Sequence, residues 1–283
     1  MKSVFVLLMF VTGAMTAWGF PIPNEQTKLQ TILPQQFNAA FDFEGIVDLR
    51  SCSGALVQFE GQSDHSKALV LTNGHCVEFR FPQPGSAYYG RASSRRFSLL
   101  NSAARDAATV RTDLLIYATM TQTDMALYRL TETFAEIRAR SGIRPFVLSS
   151  RHAAVGESME VISGYWRRGY RCQIETFVYR LLEEGWESQD SIRYSRPGCE
   201  TIPGTSGSPV VASGTREIIG INNTGNESGG RCTINNPCEI DETGQVYFEK
   251  GLSYGQQVLS IYACLTDQFE VDLNKPGCSL PKP

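Results

Sequence analysis

Short apolar segments separated by turn residues are the feature of this 283-residue chain that most constrains its fold. Between residues 43 and 253 these segments are rich in β-branched and aromatic side chains, with Gly, Pro, Asn or Ser between them. Such segments are typical of strands in an all-β barrel or sandwich. We predict strands at 43–49, 54–60, 67–72, 95–100, 113–119, 124–130, 145–149, 158–163, 172–180, 192–195, 208–212, 217–222 and 246–253.

One interruption divides these strands into two groups. The segment TETFAEIRARSGIRP places Phe134 and Ile137 at helical spacing, and Gly142 ends the pattern. We interpret it as a linker that carries a short helix. About six strands precede it and six or seven follow it, which predicts two similar barrels. A second short helix fits residues 256–265, where the apolar side chains fall on one face.

Composition excludes several classes of protein. The chain is 42% hydrophobic and 19% charged, which is enough apolar material for a large core and excludes a wholly disordered chain. The formal net charge of −3 gives no basic surface for a nucleic acid or for an anionic membrane. We therefore expect no nucleic-acid partner.

The N-terminus predicts export. Lys2 precedes the apolar run Val4–Val11, and small residues follow it, as in a secretory signal peptide over residues 1–19. The run is shorter than the ~20 apolar residues that span a bilayer, so we expect no membrane anchor. Residues 20–42 are rich in Pro and Gln and are either a propeptide or an N-terminal arm. The expected location is extracellular or periplasmic.

The eight cysteines agree with an oxidising location. Their number is even and no CxxC pair is present, so disulfides are favoured over metal ligands or redox centres.

Three segments hold the residue types of nucleophilic catalysis. His75 lies in LTNGHC directly after a strand, Asp124 opens the strand DMALYRL, and Ser206 lies in the Gly-rich turn PGTSGSPV. A serine hydroxyl needs a base within hydrogen-bond reach, and a carboxylate orients that base. Glycines beside the serine let backbone N–H groups approach a developing oxyanion. The order His, Asp, Ser is that of the chymotrypsin class, whereas subtilisins and α/β-hydrolases have other orders.

These segments resemble the motifs of trypsin-like serine peptidases of the chymotrypsin fold. TNGHC is similar to the family's histidine motif, TDMALYRL to its aspartate strand and GTSGSP to its serine motif, and SCSGALV resembles the strand before the histidine. The match is best with the bacterial secreted branch that includes the glutamyl endopeptidases. The resemblance covers about residues 44–265 and implies two six-stranded antiparallel β-barrels with a short C-terminal helix.

The resemblance also implies boundaries for these parts. The first barrel, with the His and Asp, would occupy residues 43–133, and the linker residues 134–144. The second barrel with its helix, which holds the Ser, would occupy residues 145–265, and a C-terminal tail residues 266–283.

Each motif residue has a role in the family. By resemblance, His75 is the general base and Ser206 the nucleophile, and the backbone N–H groups of Gly204 and Ser206 form the oxyanion hole. Asp124 is the carboxylate that orients the base. Asp113 also precedes an apolar run and is the alternative, but Asp124 fits the family pattern Asp-apolar-Ala-Leu better.

Three other polar residues are expected to have structural roles. Ser208 lies two positions after the candidate nucleophile but precedes a proline. His65 and His152 lie in the polar segments GQSDHS and SSRHAAV, as solvated loop histidines do.

The chain departs from the family in residues that would bind substrate. Thr201 stands five positions before Ser206, as in glutamyl endopeptidases, but Asn222 stands where those enzymes have a histidine and cannot become cationic. Glu200 stands six positions before Ser206, where trypsins carry the acid that binds Arg or Lys; a solvated loop residue is the alternative. Glutamyl specificity is therefore not expected.

Two further features concern substrate and activation. The segment Asn223-Thr224-Gly225 is expected to pair its backbone with an extended substrate by strand addition. Thr205 stands where animal trypsins have an Asp that pairs with a new N-terminus. Activation by that ion pair is not expected.

The cysteine pairs are hypotheses that follow from the resemblance. Cys52 with Cys76 would tie the second strand to the histidine turn, as in the family. The remaining pairs would be Cys172–Cys199, Cys232–Cys238 and Cys264–Cys278.

The sequence therefore predicts a secreted serine endopeptidase that acts on proteins or peptides as a monomer, without a metal or organic cofactor. A non-catalytic binding protein on the same scaffold is the alternative from another class. Simple esterase activity of the same triad is a third possibility.

Overall fold

The computed structural model of the protein describes residues 41–283. The predicted signal peptide at 1–19 and all but the last two residues of the predicted propeptide or arm at 20–42 lie outside the described residues. Residues 41–283 form one compact unit. Within it, no helix has the length and apolar composition needed to cross a membrane.

Strands dominate the described residues, so the predicted all-β class is confirmed. Their bounds in chain order are β1 Ile46–Asp48, β2 Ser53–Phe59, β3 Lys67–Thr72, β4 Ala87–Ala92, β5 Arg96–Leu100, β6 Asp106–Thr119, β7 Met125–Thr133, β8 Phe146–Leu148, β9 Ser158–Ser163, β10 Arg168–Glu183, β11 Trp186–Tyr194, β12 Pro209–Ala212, β13 Glu217–Gly225, β14 Cys238–Ile240, β15 Val246–Tyr247 and β16 Ser253–Gln256. The helices are α1 Phe134–Ser141 and 3-10 helices at Gly74–Cys76 and Leu259–Cys264.

The first group of strands closes on itself. β1 pairs with β2, β2 with β3, β3 with β7, β7 with β6, β6 with β5 and β5 with β1, all antiparallel. Leu71, Leu127 and Tyr128 are among its fully buried side chains. A closed ring leaves no free strand edge, so its six strands form a barrel around one apolar core.

The pairings of the second group also close. β9 pairs with β10, β10 with β11, β11 with β16, β16 with β13, β13 with β12 and β12 with β9. Val161, Ile192 and Val210 are buried within it. The short strand β8 pairs in parallel with both β2 and β13, so it joins the two groups in one continuous sheet.

Several predicted bounds were wrong. The hairpin of β10 and β11 is longer than the predicted strands 172–180 and 192–195, because both strands continue to a two-residue turn at Glu184 and Gly185. The predicted strand 246–253 is interrupted, since Gly251 lies in a turn with φ +87°.

The predicted helix at 256–265 is a shorter 3-10 helix, Leu259–Cys264. Its first predicted residue, Gln256, remains in β16, where it pairs with Ile221. The first residue of the predicted helix is therefore part of the sheet.

The helix between the two groups begins and ends at clear signals. Thr133 and Glu136 form a capping box at its N-terminus, and Gly142 follows its last residue with φ +75°. Phe134 and Ile137 point into the core of the first group. The helix is therefore packed against the first group of strands.

We expect Leu127→Ala to lower the free energy of unfolding by about 2–5 kcal/mol, because it leaves a cavity in the core of the first group. Val147→Ala is the control, since Val147 is 39% exposed and its truncation is expected to cost about 0.5 kcal/mol or less. Denaturant unfolding with the disulfides intact measures both values. Equal losses in the two variants would contradict this account of the core.

Candidate active site

The turn after β3 places His75. This strand ends at Thr72, and the 3-10 turn Gly74–Cys76 follows with His75 at its centre. A Cβ atom on Gly74 would lie 2.0 Å from the carbonyl oxygen of Thr119, so only glycine fits there. The disulfide between Cys52 and Cys76 fixes the end of the same turn to the start of β2.

Asp124 lies directly before β7 and binds His75 at two points. Its Oδ2 is 2.6 Å from His75 Nδ1, and its Oδ1 accepts the backbone N–H of His75 at 3.2 Å. Asn73 Nδ2 donates to the carbonyl oxygen of Asp124 at 2.7 Å. Since Nδ1–H donates to the carboxylate, Nε2 of the imidazole is left to accept a proton.

The environment of His75 favours its protonated form. Burial lowers the pKa of the imidazole, but the charge of Asp124 and its hydrogen bond outweigh that effect, and the charge of Glu183 adds to them. The pKa of His75 therefore lies above its usual value of 6.5.

The other candidate residues lie in different surroundings. Asp113, the alternative carboxylate, forms an ion pair with Arg129 at 2.9 Å. His65 is exposed in its loop. His152 Nε2 lies 2.8 Å from Asp190 Oδ2, in a second histidine–carboxylate pair that is exposed to solvent.

Hydrogen bonds hold the turn that carries Ser206. The backbone N–H of Ser53 donates to the carbonyl oxygen of Ser206 at 2.7 Å. Thr205 Oγ1 donates to the carbonyl oxygen of Ile202 at 2.6 Å, and Asn222 Nδ2 donates to the carbonyl oxygen of Thr205 at 3.1 Å. The turn is therefore fixed from both sides without the aspartate that animal trypsins have at position 205.

The serine itself has free donors around it. Its Oγ donates a long hydrogen bond of 3.4 Å to the carbonyl oxygen of Asn223. Among residues 41–283, the backbone N–H groups of Gly204 and Ser206 have no acceptor. Gly204 has φ +90°, and a Cβ there would lie 2.8 Å from the ring of Tyr165, so this approach of backbone to cleft requires glycine.

All residues predicted for catalysis, the oxyanion hole or substrate binding line one cleft of about 480 Å³. They are His75, Asp124, Glu200, Thr201, Gly204, Ser206, Asn222, Asn223, Thr224 and Gly225. The two strand groups thus bring the three motifs together, although the histidine and the serine are 131 residues apart (206 − 75).

The candidate substrate-binding residues differ in their surroundings. Asn222 is 1% exposed and its amide nitrogen is used by Thr205. Glu200 is exposed, and its carboxylate accepts the N–H of Gly198 at 3.0 Å. The pairing of β13 with β12 ends at Ile221, so among the described residues the edge of 223–225 that faces away from β16 has no strand partner.

The cleft residues that the sequence did not indicate include Phe81, Glu183 and Trp186. Glu183 and Trp186 lie at the end of the β10–β11 hairpin, beyond the predicted strands. Gly185, which separates two segments with strand-forming side chains, is the sequence signal for the turn of this hairpin. No sequence signal places its end beside His75.

The structure joins the cysteines as four disulfides. These are Cys52–Cys76, Cys172–Cys199, Cys232–Cys238 and Cys264–Cys278. The first adjoins His75, and the third closes a loop whose residues Ile234 and Asn235 line the cleft.

The sequence of residues 52–221 matches the family model described as trypsin-like peptidase domain. This match spans more than half of the chain. The chain belongs to the trypsin-like peptidase domain family. The predicted family is confirmed, whereas the resemblance to the glutamyl endopeptidase branch stays a prediction. No curated protein matches the chain by sequence.

Solved structures of proteases match most of the chain with TM-scores below 0.5. The MamO protease domain of Magnetospirillum magneticum is 15% identical, with a TM-score of 0.46 over 80% of this chain and 97% of its own. The Nocardiopsis protease NAPase is 16% identical, with a TM-score of 0.44 over 77% and 92%. The chymotrypsin of Cellulomonas bogoriensis is 17% identical, with a TM-score of 0.40 over 77% and 91%. The family assignment depends on the sequence match and not on these scores.

We expect Gly74→Ala to displace the histidine turn, because the new methyl group would clash with the carbonyl of Thr119. A misplaced imidazole is expected to slow serine-directed fluorophosphonate labelling by about 10²-fold. In the control Gly185→Ala, the nearest atom to the new Cβ is 3.9 Å away, and labelling should be unchanged. Labelling of Gly74→Ala at the wild-type rate would contradict the crowding at this turn.

Proposed function

We propose that this peptidase-family chain is a serine endopeptidase with Ser206 as nucleophile, His75 as general base and Asp124 as orienting carboxylate. The observation that carries the proposal is the contact of 2.6 Å between His75 Nδ1 and Asp124 Oδ2 in the cleft that Ser206 also lines. This contact leaves Nε2 of the imidazole as the only ring nitrogen that accepts a proton.

The proposed reaction passes through an acyl-enzyme. Ser206 Oγ attacks the carbonyl carbon of the scissile bond while His75 Nε2 takes its proton, and the N–H groups of Gly204 and Ser206 donate to the oxyanion. The imidazolium then gives its proton to the leaving amine. Water, deprotonated by the same imidazole, attacks the ester and releases the acid and Ser206.

The substrates of the proposed enzyme are proteins or peptides in extended conformation. Residues 223–225 offer a free strand edge at the cleft, and a substrate strand would pair with it. Asn222 argues against a preference for glutamate, because its amide nitrogen is bound to Thr205 and it carries no charge.

The proposed location is extracellular or periplasmic. Four disulfides support it, because such bonds persist in oxidising compartments. We also propose that the protein is a monomer without a membrane anchor.

We expect Ser206→Ala to abolish peptide hydrolysis and fluorophosphonate labelling while the melting temperature stays close to that of the wild type. Loss of the attacking oxygen removes the acyl-enzyme route, whereas the serine turn keeps its backbone hydrogen bonds.

Ser208→Ala is the matched control in the same turn. The Ser208 hydroxyl is buried and has no hydrogen-bond partner among the described residues, so its removal should leave labelling intact. Labelling that survives Ser206→Ala and disappears with Ser208→Ala would overturn the assignment of the nucleophile.

The raised pKa of His75 sets the sign of the pH dependence. Only the neutral imidazole takes the proton of Ser206, so kcat/KM should rise with pH through a midpoint above 6.5. Asp124→Asn removes the charge that raises this pKa, so the midpoint should move to lower pH, and kcat/KM should fall by about 10⁴-fold.

Asp113→Asn tests the specificity of that effect. It removes one carboxylate from a surface pair with Arg129, and exposed pairs contribute about 1 kcal/mol or less. We expect its pH profile and kcat/KM to match the wild type. A loss in Asp113→Asn as large as that in Asp124→Asn would contradict the assignment.

A further inference from the structure

One face of the β10–β11 hairpin lines the cleft beside His75. Leu181 pairs with Ser188, and Glu183 pairs with Trp186. Directly opposite residues of an antiparallel pair share a face, as do residues two positions apart along a strand. All four side chains line the cleft. The hairpin therefore brings a carboxylate and an indole to the same wall.

The end of this hairpin is fixed to the loops of the first strand group. Trp186 Nε1 donates to the carbonyl oxygen of Pro82 at 2.9 Å. The backbone N–H of Gln122 donates to the carbonyl of Glu187, and Gln189 N–H donates to the carbonyl of Gln122. These contacts hold the hairpin between the segment after His75 and the segment before Asp124.

An aromatic wall connects the imidazole to the hairpin. The ring of Phe81 lies 6.1 Å from the ring of His75 and 6.2 Å from the ring of Trp186, with edge contacts to both. Phe81 is 44% exposed, so much of its surface is open to a ligand.

The carboxylate of Glu183 is held in place but keeps free acceptor sites. Its Oε1 accepts the backbone N–H of Asn235 at 2.7 Å, and Thr224 lines the same cleft. A carboxylate has about four lone-pair positions, so at least two remain. Within residues 41–283, no Lys or Arg forms a salt bridge with Glu183.

The burial of this carboxylate is not compensated by a cation of the protein. Desolvation raises the pKa of Glu183, and the hydrogen bond from Asn235 and the charge of His75 offset only part of that effect. A cation from a ligand would lower the free energy of the charged form.

We propose that Glu183, with the aromatic wall of Phe81 and Trp186, binds an arginine side chain at the second substrate residue before the scissile bond. The proposal rests on the proposed function. A substrate strand paired with residues 223–225 points alternate side chains to opposite sides. When the side chain at the scissile bond occupies the part of the cleft lined by Glu200 and Thr201, the preceding side chain points to the other side of the substrate strand, toward His75 and the hairpin.

The chemistry of the subsite favours arginine over lysine. A guanidinium is planar, donates two parallel hydrogen bonds to one carboxylate and stacks on aromatic faces. Glu183 lines the same cleft as Thr224, which belongs to the edge that would pair with the substrate strand. The rings of Phe81 and Trp186 supply the faces.

Fluorogenic peptides that differ only at the second residue before the scissile bond test the proposal. The residue at the bond is fixed to the one that the wild type prefers in a peptide library, and the second residue is Arg, its neutral isostere citrulline, Lys or Leu. We expect kcat/KM for Arg over citrulline to be about 10- to 100-fold in the wild type, as for a charge-assisted hydrogen bond. In Glu183→Gln this ratio should fall below about threefold.

Glu184→Gln is the matched control, since it removes the same charge from the adjacent residue, which is exposed and does not line the cleft. It should keep the wild-type ratio. Active-site titration with a fluorophosphonate corrects all rates for the fraction of folded enzyme.

The other results distinguish a failure of the subsite from a failure of the proposed function. A wild type that cleaves peptides without a preference for Arg, or a ratio that Glu183→Gln leaves unchanged, refutes the subsite alone. An equal loss for all four peptides with a shifted pH midpoint shows that Glu183 acts only through His75, which also overturns the subsite. Absence of both cleavage and labelling in the wild type refutes the proposed function, and the subsite with it.

Discussion

The contact between His75 and Asp124 depends on one strand pairing. β3 and β7 are antiparallel neighbours, with Thr72 opposite Ala126, so the end of β3 and the start of β7 lie at the same edge of the first group. His75, which follows β3, and Asp124, which precedes β7, therefore meet at this edge, although they are 49 residues apart in sequence (124 − 75). A shift of one residue in this register would turn the side chains to the other face and separate the pair. The close contact between Gly74 and the carbonyl of Thr119 further restricts the position of the turn that carries His75.

Ser53 links this pair to the serine turn. Its carbonyl oxygen accepts the hydroxyl of Thr72 at 2.7 Å, and its N–H donates to the carbonyl of Ser206 at 2.7 Å. Its own hydroxyl lies 3.0 Å from that of Ser163 in the second strand group, and Ser53 is fully buried. One small residue next to a disulfide-bonded cysteine therefore connects the strand before His75, the turn of Ser206 and the second group. In this structure the segment SCSGALV therefore has a physical connection to both the histidine turn and the serine turn.

Local motifs made the core of the site predictable, and long-range geometry limited the rest. His75, Asp124 and Ser206 each lie in a short segment whose chemistry is recognisable, and all three segments lie within residues 52–221, which match the family model. Asn222 lines the cleft, and its role in substrate binding stays a prediction; the sequence did not indicate that its amide nitrogen donates to the carbonyl oxygen of Thr205, 17 residues earlier. Glu183 gave no signal, because its position beside His75 depends on the length of a hairpin and on its contacts with Pro82 and Gln122. The sequence alone gives neither the length of this hairpin nor its contacts with the first strand group.

The most direct measurement of the proposed catalytic site is a crystal structure of the protein after reaction with a fluorophosphonate. We expect a covalent bond between phosphorus and Ser206 Oγ. We also expect a phosphonyl oxygen within about 2.7–3.1 Å of the backbone nitrogens of both Gly204 and Ser206, with His75 still bound to Asp124. An adduct on any other residue, or an adduct on Ser206 whose phosphonyl oxygen points away from both nitrogens, would contradict the proposed catalytic site.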